Sequence, residues 1–212
     1  MTIEVFTGGA FQTNGYLVQV GDTRILVDAP EGASDWLAGK DTPPDALLFT
    51  HLHYDHVVDA AAVQSRFGCP LWSHSNPDPD LTLETLLQQM PGPDFTIEPF
   101  TIDRLLAGEE KIEIGSLSFN LHWVPGHSPD SLCFRAESGD DDESLASVVF
   151  GGDVLFRDSI GRTDFPHGDH QQLLTGIRDQ LYPLPGETVV YPGHGPSTTI
   201  EHERNSNPYV RA

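Results

Sequence analysis

Apolar and polar residues alternate in three short segments near the N-terminus, a pattern typical of half-buried β-strands. The segments span residues 3–7, 16–20 and 24–27, and the pairs Gly8-Gly9, Asn14-Gly15 and Gly21-Asp22 punctuate them. Such pairs favour tight turns. The chain therefore begins with a predicted antiparallel meander.

The next segment is apolar without alternation, which indicates a strand buried on both faces. It spans residues 46–50 and runs directly into His51. Residues 57–67 fit a helix that ends at Gly68, because glycine readily adopts the conformation that closes a helix. A short strand over 71–73 follows.

Residues 75–99 differ from the rest, since five prolines flank the run 81–90, a predicted short helix. We interpret this stretch as a long surface excursion rather than a linker between domains.

The C-terminal half again mixes strands and helices. Strands are predicted over 111–114, 118–124, 131–135, 147–150 and 189–191, helices over 173–181 and 199–204, and an acidic solvated loop over 139–143. Strands with interspersed helices indicate a layered α/β protein with a mixed sheet. A length of 212 residues suits one domain over 1–212.

The charge balance excludes some partners. Eleven basic and 32 acidic residues give a net charge of −21, which disfavours nucleic acid and anionic membranes. No apolar run reaches the ~20 residues of a membrane span, and the N-terminus does not resemble a signal peptide. Cys69 and Cys133 are interpreted as two reduced, buried thiols, with one disulfide as the alternative, and the cytoplasm is the expected location. Only two of the basic residues are lysines, which suggests adaptation to a salt-rich habitat.

The strongest chemical signal is the run 50–56, THLHYDH, which places three imidazoles and a carboxylate directly after the buried strand. His51 and His53 can point the same way in a loop that leaves a strand, while Asp55 and His56 turn to a neighbouring position. This arrangement favours two adjacent metal ions over one.

Four further candidates also follow predicted strands: Asp28, His127, Asp153 and His194. Glycine precedes three of them and allows a tight turn at the strand end. With the cluster, the strand-end residues give five histidines and two aspartates besides Asp28, enough for two metal sites. The remaining histidines lack this setting and are expected to be structural or solvated: His74, His122, His167, His170 and His202.

The HLHYDH run, the later PGH, the GGD and the PGHG together resemble the metallo-β-lactamase superfamily. The resemblance implies a single-domain, four-layer αββα sandwich with two mixed sheets and metals at one edge between them. It implies that Asp28 orients a ligand histidine. The implied ligands are His51, His53 and His127 for one ion, Asp55, His56 and His194 for a second, and Asp153 as a bridge. Zinc is the first expectation for the two divalent ions, with iron or manganese as alternatives.

The stretch 152–166 resembles the short members of the glyoxalase II group. That resemblance implies that Arg162 binds a glutathione carboxylate; the alternative is an internal salt bridge to Asp164. Two-domain glyoxalase II enzymes carry a helical domain with further glutathione contacts, and this chain ends at Ala212. Recognition of glutathione is therefore expected to differ from theirs.

The expected reaction is hydrolysis of a small thioester of the S-D-lactoylglutathione type. A metal-bridging hydroxide would attack the polarised carbonyl, and Asp55 would orient the water or accept its proton. A thiolate leaves readily, so no dedicated acid is needed. The alternatives are hydrolysis of another ester or lactone, a persulfide dioxygenase with one iron, and a binding module with a vestigial site.

Overall fold

The alternating N-terminal segments form the first three strands of a sheet in the computed structural model. The structure describes residues 1–91, 94–137 and 147–211. The acidic loop predicted over 139–143 lies outside these residues. The chain divides into two compact units, Met1–Ala107 and Gly108–Ala212.

The first unit contains a six-stranded mixed sheet. Its strands are β1 (Thr2–Gly8), β2 (Thr13–Val20), β3 (Thr23–Val27), β4 (Ala46–Leu48), β5 (Leu71–Ser73) and β6 (Arg104–Leu105), in that spatial order. The first three pair antiparallel, which confirms the meander, and β3 to β6 pair in parallel.

One predicted turn is wrong. Asn14 and Gly15 lie inside β2, opposite Thr7 and Phe6 of β1. Gly15 serves close packing there, because a Cβ would lie 3.0 Å from Pro30 Cδ and 3.1 Å from the Asp28 carbonyl oxygen.

The helices of this unit are α1 (Ala33–Ala38), α2 (Tyr54–Val57), α3 (Ala60–Phe67) and α4 (Glu84–Leu87). Helix α3 ends as predicted, with Gly68 left-handed at φ 65°. The helix expected over 81–90 is reduced to the four residues of α4. Leu83 has φ 64°, outside helical geometry, so the helix can begin only after it.

The core of the first unit forms between the sheet and α3. Leu47 of β4 and Val63 of α3 are fully buried in one cluster with Phe49. All three residues of β4 are buried, as the continuous apolar run predicts. This strand therefore provides a rigid base for the His51 loop.

The second unit contains another six-stranded mixed sheet and a two-stranded hairpin. Its strands are β7 (Lys111–Ile114), β8 (Leu117–Trp123), β9 (Leu132–Glu137), β10 (Val148–Gly152), β11 (Leu155–Phe156), β12 (Ser159–Ile160), β13 (Val189–Pro192) and β14 (Thr198–Thr199). The sheet order is β14-β13-β10-β9-β8-β7, and β11 pairs with β12. Only the β10 and β13 pairing is parallel in the described sheet.

Two helical stretches complete this unit. Helix α5 (His170–Gly176) continues as a π-helical segment, Ile177–Leu181, and α6 (Ile200–Ser206) follows β14. The single helix expected over 173–181 therefore starts earlier and changes hydrogen-bond pattern midway. Leu173, Ile177 and Leu181 are all fully buried in one apolar cluster.

Within the described ranges, no helix is both long enough and apolar enough to cross a membrane.

Candidate metal centre

The loop after β4 brings three imidazoles together in the first unit. The ring of His51 lies 4.6 Å from that of His53 and 4.1 Å from that of His56, measured between centroids. All three side chains are buried. The short helix α2 begins right after His53, so its turn swings His56 back toward His51.

Asp28, at the end of β3, organises this loop. The side chain is 1% exposed, and the residue has φ 59°. Its Oδ1 accepts a hydrogen bond from the Thr50 amide at 2.8 Å, and its Oδ2 accepts the Thr50 hydroxyl at 2.7 Å. His56 Nδ1 donates to the same Oδ2 at 2.8 Å. The bond holds His56 in the tautomer whose Nε2 carries no proton, so this nitrogen could coordinate a metal ion.

Thr50 extends this arrangement to His51. Because the Thr50 hydroxyl donates to Asp28, its oxygen can accept from His51 Nδ1, which lies 3.2 Å away. His51 therefore also offers Nε2 as its ligand atom. Sequence reasoning passed over Thr50, since a threonine at a strand end carries no chemical signal of its own.

Asp55 is positioned by the start of β2. The buried Thr13 hydroxyl donates to Asp55 Oδ2 at 2.6 Å. The same oxygen lies 3.7 Å from His56 Nε2. Thr13 is a second positioning residue that the sequence did not reveal, because it lies 42 residues from its partner.

The second unit gathers its three candidates at the ends of β8, β10 and β13. His127 Nε2 lies 3.5 Å from Asp153 Oδ2, and His194 Nε2 lies 3.3 Å from that oxygen. His127 Nδ1 donates to the Arg162 carbonyl oxygen at 2.8 Å. Asp153 is therefore the point on which both imidazoles of this unit converge.

Tight backbone packing fixes this second group. A Cβ on Gly161 would lie 1.9 Å from the Asp153 carbonyl oxygen and 3.1 Å from His127 Cβ. The register of β10 against β13 shifts between Phe150 and Gly152, and such an irregularity re-aims the residue that follows. Only glycine at 161 lets the loop after β12 approach Asp153 so closely.

The donor chemistry fits a divalent metal. His51, His56 and His127 each bind a protein oxygen through Nδ1 and leave Nε2 for coordination. Two ligand atoms of one tetrahedral ion lie about 3.4 Å apart. The separations of 3.3 and 3.5 Å around Asp153 match that spacing.

Arg162 pairs with Asp164, which is the alternative foreseen for it. Its Nε and Nη2 each donate to a different Asp164 carboxylate oxygen at 2.7 Å. These bonds lower the pKa of Asp164 to about 2. The guanidinium also lies over the Phe165 ring, 4.1 Å from its centroid. The pair is exposed, so a substrate anion can compete for it.

The remaining histidines make other contacts. His202 Nε2 lies 2.7 Å from Asp158 Oδ1 and 3.7 Å from the buried Glu203 Oε1. His74 is 2.9 Å from the Ser75 hydroxyl, and burial lowers the pKa of both His74 and His122. The cluster around Glu203 was missed, because α6 gave only a helical pattern.

Both cysteines are free, buried thiols, as predicted. Burial raises the pKa of Cys69 to about 11 and that of Cys133 to about 12. Neither thiol therefore has the character of a metal ligand or nucleophile at neutral pH.

Known proteins resemble this chain along nearly its whole length. The hydroxyacylglutathione hydrolase GloC of Haemophilus influenzae is 34% identical over 219 residues, covering 100% of this chain and 99% of that protein.

Solved structures also resemble this chain along nearly its whole length. BLEG-1 B3 metallo-beta-lactamase aligns with TM-score 0.86 and 35% identity over 100% of both chains. TTHA1623, solved in a di-iron-bound form, aligns with TM-score 0.79 and 34% identity over 98% of this chain and 100% of that one. ETHE1 from Myxococcus xanthus aligns with TM-score 0.76 and 26% identity over 98% of this chain and 84% of that one.

A family model described as the metallo-beta-lactamase superfamily matches residues 8–194. That match and the structural relatives confirm the predicted fold. The chain therefore belongs to the metallo-β-lactamase superfamily.

Proposed function

We propose that this protein is a metal-dependent hydrolase of small thioesters of the S-D-lactoylglutathione type. The supporting observation is the set of imidazoles whose Nδ1 atoms are held by Thr50, Asp28 and the Arg162 carbonyl. Histidines fixed in this way are prepared to coordinate metal through Nε2. The likeness to GloC supports the thioester class.

The proposed ligands follow the family pattern. One ion takes His51, His53 and His127, a second takes Asp55, His56 and His194, and Asp153 contributes to both. Bound divalent ions polarise a carbonyl and lower the pKa of water toward neutrality. Imidazole and carboxylate donors accept zinc, iron or manganese, and we propose zinc as the first choice.

The chain's own residues supply orientation and a proton acceptor. The Thr13 hydroxyl holds Asp55 Oδ2, which fixes the carboxylate next to His56. Asp55 is the group we assign to orient the attacking water and accept its proton. The leaving thiolate needs no general acid, because a free thiol has a pKa of about 8.5.

The test is loss of S-D-lactoylglutathione with the metal-loaded protein and its His53→Ala variant. His170→Ala is the matched control, since it removes an exposed imidazole outside the proposed ligands. We expect turnover in the wild type and control, and a large loss in His53→Ala. Absence of turnover in protein carrying stoichiometric metal would refute the thioesterase assignment.

The second candidate is the alternative expected from the sequence, a persulfide dioxygenase with one iron, and ETHE1 is among the structural relatives. Metal analysis and an oxygen electrode separate the two functions. Two metals per chain without oxygen consumption support the hydrolase. One iron per chain with persulfide-dependent oxygen consumption supports the dioxygenase.

A further inference from the structure

A cavity of about 120 Å³ opens beside Asp55 within the first unit. The turn after β1, the start of α2 and residues 94–95 form its walls. The cavity therefore adjoins a proposed catalytic group, at a place where part of a substrate other than the reacting carbonyl can bind.

Three aromatic rings line one side of this cavity. The rings of Phe11 and Phe95 lie 6.2 Å apart, and Tyr54 meets Phe95 edge to face at 5.3 Å. Phe11 remains 44% exposed although it is large and apolar. The rings thus contribute aromatic surface to the cavity lining.

Three carboxylates also line the cavity, beside small and apolar residues. Glu31 and Asp94 join Asp55 in the lining, and none of the described lining residues is basic. The glycine turn packs closely on Glu31: a Cβ on Gly8 would lie 2.2 Å from its carbonyl oxygen, and one on Gly9 would lie 3.2 Å from its carboxylate. The close packing of the glycine turn therefore keeps Glu31 at the cavity wall.

We propose that this cavity binds an organic ammonium group carried by the substrate. Carboxylates attract the charge and accept N–H bonds, while aromatic faces stabilise a cation through their quadrupole. A carboxylate or phosphate would be repelled there. The inference rests on the proposed function and deepens it: the preferred thioester carries an amine in its protonated form.

Binding is tested with three probes of equal chain length: butylammonium, butan-1-ol and butyrate. The metal-loaded protein is titrated while the ring signals of Tyr54 and Phe95 are followed by NMR. We expect butylammonium to bind about tenfold more tightly than butan-1-ol, and butyrate to bind most weakly. Equal affinity for the three probes would overturn the proposal.

Variants locate the binding. The double variant Glu31→Gln, Asp94→Asn should lose the preference for butylammonium, whereas Asp41→Asn, which removes an exposed carboxylate outside the cavity, should keep it. Loss of preference in both proteins would mean that net charge, not the cavity, selects the cation.

Kinetics separate this inference from the proposed function. Two thioesters are compared, one with a terminal ammonium and one with a methyl group at that position. We expect the ratio of their kcat/KM values to fall about tenfold in the double variant and to stay constant in Asp41→Asn. An unchanged ratio with active enzyme overturns the ammonium site alone. Failure to hydrolyse either thioester overturns the thioesterase assignment, and the probe titration then decides on the cavity.

Discussion

At the scale of single residues, the candidate centre depends on hydrogen-bond acceptors behind the histidines. Asp28 serves two of them, His56 directly and His51 through the Thr50 hydroxyl. A single carboxylate thus fixes the rings of two candidate ligands, and we expect its loss to affect metal binding more than overall folding.

Asp28→Asn should weaken metal affinity by about 10- to 100-fold, because the amide no longer holds the His56 tautomer. Competition with a chelator measures the change, and Asp22→Asn, at an exposed turn, is the matched control. Thermal unfolding of the metal-free variants checks integrity. Unchanged metal affinity in a folded Asp28→Asn protein would contradict the orienting role.

Arg162 and Asp164 form an exposed ion pair that is expected to affect substrate binding. Arg162→Ala should raise KM for an anionic substrate by about tenfold and change kcat less, because a charged hydrogen bond to bound substrate is lost. Asp164→Asn should lower KM, since the guanidinium is released from its bidentate partner. Steady-state kinetics with Arg157→Ala as a control tests both. A fall in kcat at constant KM would instead mark Arg162 as catalytic.

The candidate ligands could be selected from the sequence because three histidines cluster in one short run after a strand and the other candidates follow strands. The positions of the strands followed from alternation or continuous apolar runs. The acceptors Thr13 and Thr50 could not be found, because hydroxyls are common and their partners are set by tertiary structure. For Arg162, a spacing of two residues from Asp164 allowed either an internal salt bridge or binding of a substrate carboxylate. The ligand assignments themselves stay a prediction.

At the scale of elements, very short or irregular pieces escaped prediction. The hairpin strands β11 and β12 have two residues each, too few to show a period. The π-helical turn after α5 keeps an apolar spacing of four, which looks like an ordinary helix in sequence. Both pieces belong to the unit that holds Asp153.

The loop after β12 yields an element-scale prediction. Gly161→Ala should destabilise the protein by about 1–3 kcal/mol, because its Cβ would overlap the Asp153 carbonyl oxygen. Gly39→Ala is a suitable control, since its Cβ would meet only the Trp36 carbonyl oxygen at 3.5 Å. Chemical denaturation measures both. Equal stability of the two variants would show that the loop can move without cost.

Helix α6 carries Glu203, a buried carboxylate that joins several segments of the second unit by hydrogen bonds. Glu203 is fully buried, and its Oε2 accepts from the Asp158 amide at 3.0 Å and from Asn207 at 2.8 Å, while Oε1 accepts from the Thr198 hydroxyl. Glu203→Gln should cost about 1–3 kcal/mol, because an amide group replaces one acceptor. Denaturant unfolding checks it, with the exposed Glu201→Gln as control. Equal costs in the two variants would argue against a central role for Glu203.

At the scale of the whole molecule, the net charge of −21 causes repulsion between carboxylates that opposes folding. Salt shortens the range of repulsion between carboxylates, from about 10 Å at 0.1 M to about 3 Å at 1 M. The melting temperature should therefore rise over this range of sodium chloride concentration. A variant with several exposed aspartates changed to asparagine should respond less. A flat or falling melting temperature in the wild type would refute the salt-rich habitat hypothesis.

Arg162 contacts two different parts of the candidate site, one through its side chain and one through its backbone oxygen. Its side chain faces solvent through Asp164, while its backbone oxygen holds the ring of His127. An anion that draws the guanidinium away from Asp164 would act on the same residue whose carbonyl oxygen holds His127, a candidate ligand. We expect an anion bound in place of Asp164 to shift the His127 ring through this carbonyl. A cobalt-substituted protein would report it as a change in visible absorption when such an anion binds.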